Sequence, residues 1–334
     1  DWSSDVCSSD LGNAALQRNR IYTITVSGVS DCSGNIIGQS NEARVGLYEL
    51  TDERSIVINE ILFNPWPNGN DYVEIYNRSN KVIDLSQLIL SSKDTVTNEL
   101  KSLSTIAVEG YGLLPEKYLL LSENSEVVKS HYASSNPQGF WQMSSIPSLN
   151  ISDGTVVLST PQQKIIDDLH YYDNWQFPLL VSSKGVSLER IDYNRSTQDA
   201  SNWHSASQSV GFGTPAYRNS QYSENTSNNH GEISVEPEVF SPDNDGFQDV
   251  VNITFKSDVP GYTGSITIFD DRGRAVRALV KNELWGNTGT YSWDGITDDR
   301  DKARIGIYVI LVEVFDLNGN THSYKKTCVV GAKL

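Results

Sequence analysis

The sequence predicts an all-β protein built from tandem β-sandwiches that are joined by short polar linkers. Strand-forming and turn-forming residues dominate, with 16 Tyr, 7 Trp, 24 Gly and 11 Pro against one Met. No segment has a helical periodicity long enough to build a helical domain. The 334 residues exceed the length of one sandwich and suit two or three units of roughly 100–150 residues each.

The charge balance excludes some classes of partner. A formal net charge of −16 gives the surface a negative potential that repels phosphate backbones and anionic membranes, so nucleic-acid binding is not expected. No run of about eighteen apolar residues is present, so we expect no transmembrane segment. Cations are the partners that this charge favours.

The first eleven residues, DWSSDVCSSDL, equal the translation of a common DNA-sequencing library adapter. We therefore expect residues 1–11 to be an artefact, and the natural reading frame to be cut before Gly12 with its signal peptide or further domains upstream. Without Cys7, only Cys32 and Cys328 remain, and they lie on different units. No disulfide framework is expected, since sandwiches of this size are stable without one.

Residues 12–50 predict a strand, a turn and a second strand. Five residues carry a resemblance to the end of a bacterial immunoglobulin-like domain: Tyr22, Val29, Asp31, Gly34 and Asn35. The resemblance implies a C-terminal remnant of such a domain, without its front strands.

The stretch from Ser55 to Asn77 predicts a β-hairpin, because two alternating strands flank a turn rich in Pro, Gly and Asn. A closing strand, GVSLER, follows at 185–190, and the sequences NWHSA and GFGTP follow at 202–206 and 211–215. Together these sequences resemble both ends of a lamin-tail domain over residues 54–219. The resemblance implies an immunoglobulin-like β-sandwich, found in nuclear lamins and in large secreted bacterial proteins, and it implies no activity.

Three acidic residues interrupt strands of this domain that otherwise look like core: Glu60, Glu74 and Glu189. Two interpretations remain open. The glutamates pair with Arg78 or Arg190, or they line the open end of the sandwich.

An irregular segment at 122–149 contains Phe140 and Trp141. Long loops often carry recognition residues, so these two aromatics are a candidate binding site for a protein or glycan ligand. The alternative is that they cap an open end of the core.

Residues 220–232 predict a linker, since the sequence there is polar and rich in Ser and Asn. Residues 233–334 predict a second complete sandwich. The sequences FSPDNDG at 240–246, WDG at 293–295 and GIY at 306–308 resemble the FlgD-type immunoglobulin-like domain that closes many proteins exported by the type IX secretion system. The resemblance implies the secretion machinery as a partner and a secreted or outer cell-surface location on a bacterium. Domains of this type that act as an export and surface-attachment signal more often have Asn-Gly where this chain has Asp243-Asn244. The role of this domain as such a signal therefore stays open.

A candidate calcium site lies in this last sandwich. Asp243, Asn244, Asp245 and Asp249 place three carboxylates and an amide around Gly246, and Ca²⁺ prefers such oxygen ligands. The alternative is an Asx turn in which these side chains bind their own backbone.

No pattern predicts catalysis. The five histidines are not spaced as zinc ligands, and the chain lacks a nucleophile elbow and a phosphate loop. We therefore expect a non-catalytic C-terminal fragment of a secreted multidomain protein that acts in adhesion, spacing or surface anchoring. Two alternatives remain: accessory domains of an exported hydrolase, such as a nuclease or phosphatase, and a glycan- or protein-binding module.

Overall fold

The computed structural model describes residues 16–332 except 19, 39–40, 108–109 and 225–230. The adapter-like residues 1–11 lie outside this part of the chain. Within it, regular structure consists of twenty-three strands, one seven-residue α-helix and four short 3₁₀ turns. No helix among the described residues is long and apolar enough to cross a membrane.

The first strands, β1 (Tyr22–Thr25) and β2 (Glu42–Val45), form a two-stranded antiparallel sheet. The turn between them is organised by Asp31, whose Oδ1 accepts hydrogen bonds from the backbone N–H groups of Ser33 and Asn35, both at 2.9 Å. Cys32 is exposed in this turn. Two strands alone bury little apolar surface, so this part contributes little core.

The middle sandwich follows. Its elements, in chain order, are β3 (Tyr48–Glu49), β4 (Ile56–Leu62), β5 (Tyr72–Asn77), β6 (Val82–Asp84), β7 (Ile89–Lys93), β8 (Leu100–Thr105), β9 (Gly112–Leu113), β10 (Tyr118–Ser122), α1 (Ser125–His131), β11 (Phe140–Gln142), β12 (Asp153–Ser159), β13 (Ile165–Tyr172), β14 (Leu188–Arg190) and β15 (Trp203–Ser205). The 3₁₀ turns are Leu85–Gln87, Asp173–Trp175, Ala200–Asn202 and Gln208–Val210.

Two sheets of these strands enclose the core. The larger sheet has the order β11-β10-β5-β4-β14-β15, and the facing sheet has the order β13-β12-β7-β8. A small third sheet, β3-β6-β9, lies at one end. The inner faces of the two large sheets pack a continuous cluster of buried aliphatic side chains, which supplies most of the hydrophobic stabilisation.

All residues of β4 and β5 are buried, although a sandwich strand normally exposes every second side chain. Ile58 and Ile61 of β4 face the inner core, whereas Val57 and Leu62 belong to clusters on the outer face. The outer face of the larger sheet is therefore covered as well. The chain between residues 206 and 223 contributes that cover, as described below.

A buried ion pair connects the two sheets. Asp167 of β13 lies 3.2 Å from Nη2 of Arg190 on β14, and it accepts a hydrogen bond from the backbone N–H of Ile58 at 2.8 Å. Arg190 also donates to the backbone oxygen of Ile58 at 2.7 Å and to Thr197 at 2.6 Å. Burial raises the pKa of Asp167, and the positive charge of Arg190 opposes that shift.

The C-terminal sandwich contains β16 (Glu232–Glu236), β17 (Val239–Phe240), β18 (Val251–Lys256), β19 (Thr263–Phe269), β20 (Ala275–Leu284), β21 (Thr288–Trp293), β22 (Gly306–Phe315) and β23 (Thr321–Val330). Its sheets have the orders β16-β18-β21 and β17-β23-β22-β19-β20. Cys328 is buried in the core between them.

Two of the sequence motifs of this sandwich meet in its core. The ring of Phe240 packs edge-on against Trp293 at 5.5 Å between centroids. Gly295 adopts φ +73° close to Pro242, and a Cβ at this glycine would lie 2.8 Å from Cγ of Pro242. Glycine is therefore required there. The predicted all-β class with tandem sandwiches is confirmed.

We expect Asp167→Ala to destabilise the protein by about 3–5 kcal/mol, because the substitution leaves Arg190 buried without its counter-charge. The free energy of unfolding would be measured by urea denaturation. As a control, Glu126→Ala removes an exposed partner of Lys129 and should cost less than about 1 kcal/mol. Equal costs for the two variants would contradict this role of the ion pair.

Candidate functional site

Three buried glutamates lie side by side on the outer face of the larger sheet. Glu60 of β4 is in register with Glu74 of β5 on one side and with Glu189 of β14 on the other. All three side chains are fully buried. A β-bulge between Ile58 and Glu60 places Asn59 and Glu60 together opposite Glu74. We call these three residues the glutamate row.

The glutamate row binds the chain that crosses the sheet at residues 214–221. Glu60 accepts from the backbone N–H of Thr214 at 3.0 Å, and Glu74 accepts from the backbone N–H of Ala216. Glu189 accepts from the backbone N–H of Gln221 at 3.0 Å and from the hydroxyl of Ser220 at 2.8 Å. Every glutamate of the row therefore holds part of this segment, which we call the crossing segment.

Side chains of the sheet complete the network. Tyr72 donates its hydroxyl to Glu60 at 2.5 Å. Asn59 donates to Glu74 at 2.8 Å and also to Asn219, at 2.7 Å, near the end of the crossing segment. Such a network is stable only when its buried polar groups are satisfied together.

Burial raises the pKa of all three carboxyls, because a charge in the protein interior is poorly solvated. The negative charge of Glu60 adds to this effect on Glu74 and on Glu189, whose pKa rises to about 8.

Both interpretations drawn from the sequence are wrong for these glutamates. Arg190 points to the other face of the sheet and pairs with Asp167, while Arg78 donates to Asn194 at 2.5 Å. The row does not line an open end, because the crossing segment covers it.

The crossing segment and Tyr222, the residue after it, also bind the C-terminal sandwich. Gln221 donates to the backbone oxygen of Trp285 at 3.0 Å and accepts from the backbone N–H of Gly261 at 3.1 Å. Asn287 donates its backbone N–H to Ser220 at 2.7 Å and its amide to Tyr222 at 2.8 Å. These contacts lie at the start of the predicted linker 220–232, of which residues 225–230 fall outside the described part.

A cleft of about 650 Å³ opens between the two sandwiches. Its lining contains no ionisable side chain and combines aromatic, aliphatic and uncharged polar groups: Trp66, Phe177, Leu179, Leu180, Val181, Ser182, Gln208, Phe212, Thr263, Asn282, Leu284 and Phe315. The volume is in the range typical of small-molecule sites. Sequence patterns could not have predicted it, since its walls come from two separate sandwiches.

The predicted calcium-site residues are brought together by the fold. Asp243, Asp245 and Asp249 each offer a carboxylate oxygen, and these oxygens lie within 4.8 Å of one another. Asp249 also accepts from the backbone N–H groups of Asn244 at 2.6 Å and Gly246 at 2.8 Å. Asn244 lies in the left-handed region at φ +62°. The loop thus combines a close carboxylate cluster with the Asx-type bonds of the alternative interpretation.

The predicted binding residues Phe140 and Trp141 lie on β11, at the edge of the larger sheet, and both are half-buried. Trp141 packs against the inner core and donates its indole N–H to the backbone oxygen of Ile106 at 2.6 Å. Phe140 packs against the outer cluster, with Nζ of Lys129 5.2 Å from its ring centroid. Both aromatic side chains thus make the contacts that are expected of residues that cap the core.

Comparison with known proteins agrees in part with the sequence resemblance. Residues 50–173 match the family model described as Lamin Tail Domain, whereas none of the curated proteins matches the chain.

Several solved structures are similar at low identity. CopC from Methylosinus trichosporium OB3b is 16% identical with a TM-score of 0.22, over 31% of this chain and 95% of that one. Dimeric latent PorU from Porphyromonas gingivalis is 12% identical with a TM-score of 0.26, over 87% of this chain and 22% of that one. PorZ from the same organism, a surface component of its type IX secretion system, is 15% identical with a TM-score of 0.26. The match covers 81% of this chain and 38% of PorZ. This chain thus spans well under half of PorU and PorZ, and residues 50–173 are similar to a lamin tail domain.

Proposed function

We propose that this chain is a non-catalytic part of a secreted, multidomain bacterial surface protein, in which two sandwiches form a rigid spacer for adhesion or surface anchoring. The observation that carries the proposal is the crossing segment, which is hydrogen-bonded to both sandwiches. A flexible linker makes few contacts with the domains that it joins. A docked connection instead fixes the distance and angle between them, as a spacer requires.

The surface location rests on two sequence resemblances, to the lamin-tail domains of secreted bacterial proteins and to the FlgD-type domains that close exported proteins. The type IX secretion machinery would then be the partner of residues 233–334. The net charge of −16 suits an extracellular spacer, because it opposes self-association and binding to other acidic surfaces.

We expect the two sandwiches to tumble as one body in solution. Backbone ¹⁵N relaxation should give one rotational correlation time for both. Replacing Gln221, Ser223 and Asn287 together by Ala removes the side-chain hydrogen bonds that join residues 220–223 to the C-terminal sandwich and should give two shorter times. Gln142→Ala, an exposed change on β11, is the control and should leave one time. Separate correlation times in the unmodified protein would contradict a rigid spacer.

Calcium is a proposed addition to this role. The close carboxylates of Asp243, Asp245 and Asp249 repel one another, and a divalent cation among them would remove that repulsion. Extracellular modules commonly bind calcium with modest affinity.

We expect Ca²⁺ to raise the unfolding temperature of the full chain, with a gain of about 2.7 kcal/mol when free calcium is a hundredfold above Kd. Asp245→Asn should abolish the shift, while Asp299→Asn, in another exposed acidic turn, should retain it. Calorimetric titration would provide the binding heat. If calcium titrated into the unmodified protein produces no binding heat, the loop is an Asx turn and not a calcium site.

A second candidate function, binding of an uncharged ligand such as a neutral glycan, is favoured by the cleft between the sandwiches. Its aromatic rings offer flat apolar surfaces, and Gln208 and Asn282 contribute amide groups. We expect a neutral glycan from a panel to change the fluorescence of Trp66, which is 39% exposed at the cleft. Gln208→Ala and Asn282→Ala should weaken that response. A panel without any saturable response would exclude this function for the cleft.

A further inference from the structure

The hydroxyl of Thr214 lies between two carboxyls of the glutamate row. Its Oγ1 is 2.8 Å from Oε2 of Glu60 and 2.7 Å from Oε1 of Glu189. Both distances are those of O–H···O hydrogen bonds. A hydroxyl carries one hydrogen and can donate only once, so the second contact needs another proton. That proton must come from one of the two carboxyls.

The other oxygens of these two carboxyls already accept hydrogen bonds. Oε1 of Glu60 accepts from Tyr72 and from the backbone N–H of Thr214, and Oε2 of Glu189 accepts from Ser220 and Gln221. The oxygens that face Thr214 are therefore the positions where a carboxyl proton completes the network.

Among the residues that the structure describes, the groups around the row supply no compensating positive charge. On the sheet, Glu60 and Glu189 face Glu74, Tyr72 and His204, the last being opposite Glu189 on β15. Burial lowers the pKa of His204, which keeps its ring neutral near pH 7. The crossing segment contributes Tyr217, and the chain after α1 contributes Tyr132; both phenols feel the charge of Glu60. Arg218 lies elsewhere, over the ring of Tyr222 at 5.0 Å.

We propose that one proton shared along Glu60, Thr214 and Glu189 holds the crossing segment on the sheet, and that loss of this proton as the pH rises releases the segment and loosens the junction between the sandwiches. Without the proton, two carboxylates would face one hydroxyl in the protein interior, and one of the two contacts would become repulsive. The proposal extends the rigid junction to a pH-sensitive one and rests on the docking of Gln221, Ser220 and Asn287 described above.

The direction of the pH dependence follows from proton linkage. Burial raises the pKa of Glu189 from an ordinary value of 4.5 to about 8 in the folded protein. The closed state therefore binds more protons than the released state between these values. The stabilisation is complete below about pH 4.5 and is lost as the pH rises through about 8. Release of one proton makes the opening constant rise about tenfold per pH unit within that window.

Two measurements on the full chain test this proposal. Infrared spectroscopy at pH 7 should detect the C=O band of a protonated carboxyl in a difference spectrum between the unmodified protein and Glu189→Gln. Amide hydrogen exchange, corrected for its intrinsic rate, should show opening at Ala216 and Gln221 that rises about tenfold per pH unit between roughly pH 5 and 8.

The variants separate a proton lock from simple loss of structure. In Glu189→Gln, the amide N–H₂ donates to Thr214 at every pH, so the opening at Gln221, which bonds to residue 189 itself, should depend much less on pH than in the wild type. Glu60→Gln should behave in the same way, and it provides the same test if Glu189→Gln fails to fold. Glu99→Gln, an exposed change in the same sandwich, should retain the wild-type dependence.

Two results would overturn the proton lock: a spectrum of the unmodified protein without a protonated carboxyl at pH 7, or the same pH dependence in Glu189→Gln as in wild type. The two sandwiches could also keep one rotational correlation time at low and high pH while exchange at Ala216 depends on pH. That result would show that release of the crossing segment does not loosen the junction, and it would leave the rigid spacer intact. Two tumbling times at every pH would contradict the spacer itself.

Discussion

The hydrogen bonds between the glutamate row and the crossing segment are the interaction on which the arrangement of the two complete sandwiches depends. They fix a length of chain without regular secondary structure on the outer face of a sheet, where Thr214, Ala216 and Gln221 each donate a backbone N–H to a buried carboxyl. Because the end of that chain also binds Trp285 and Gly261, the position of the C-terminal sandwich follows from it.

Two polar networks on opposite faces of one sheet have different electrostatic character. On the inner face, Asp167 has a cation as its partner, and Arg190 crosses from sheet to sheet to reach it. On the outer face, the donors to the glutamates within the described part of the chain are all neutral, so burial of the glutamates is tolerated best when protons reduce their charge. The first network therefore pairs opposite charges, whereas the second gathers carboxyls of like charge, which is the basis of the proton lock proposed above.

The sequence was sufficient for the fold class and for the three glutamates of the outer network, but not for their partners, and the pair of Asp167 and Arg190 on the inner face was not predicted. Alternation in β4 and β5 and the turn between them predicted the hairpin, and the carboxylates near Gly246 are as close in space as in sequence. The bulge at Asn59 shifts that alternation and could not be located from periodicity. Glu189 stands next to Arg190 in sequence, yet adjacent strand residues point to opposite faces, which is why the predicted pairing was wrong. Each glutamate binds one backbone amide of the crossing segment, which has no sequence pattern, and its other partners are neutral Tyr, Asn, Ser and Thr side chains.

The most direct test of this account is neutron diffraction from crystals of the deuterated protein grown near neutral pH. Two deuterons around Oγ1 of Thr214 are predicted, one towards Glu60 and one towards Glu189, with the crossing segment in contact with Trp285 and Gly261. A single deuteron at Thr214, or a cation among the three carboxylates, would contradict the account of the glutamate row as a proton-dependent clamp.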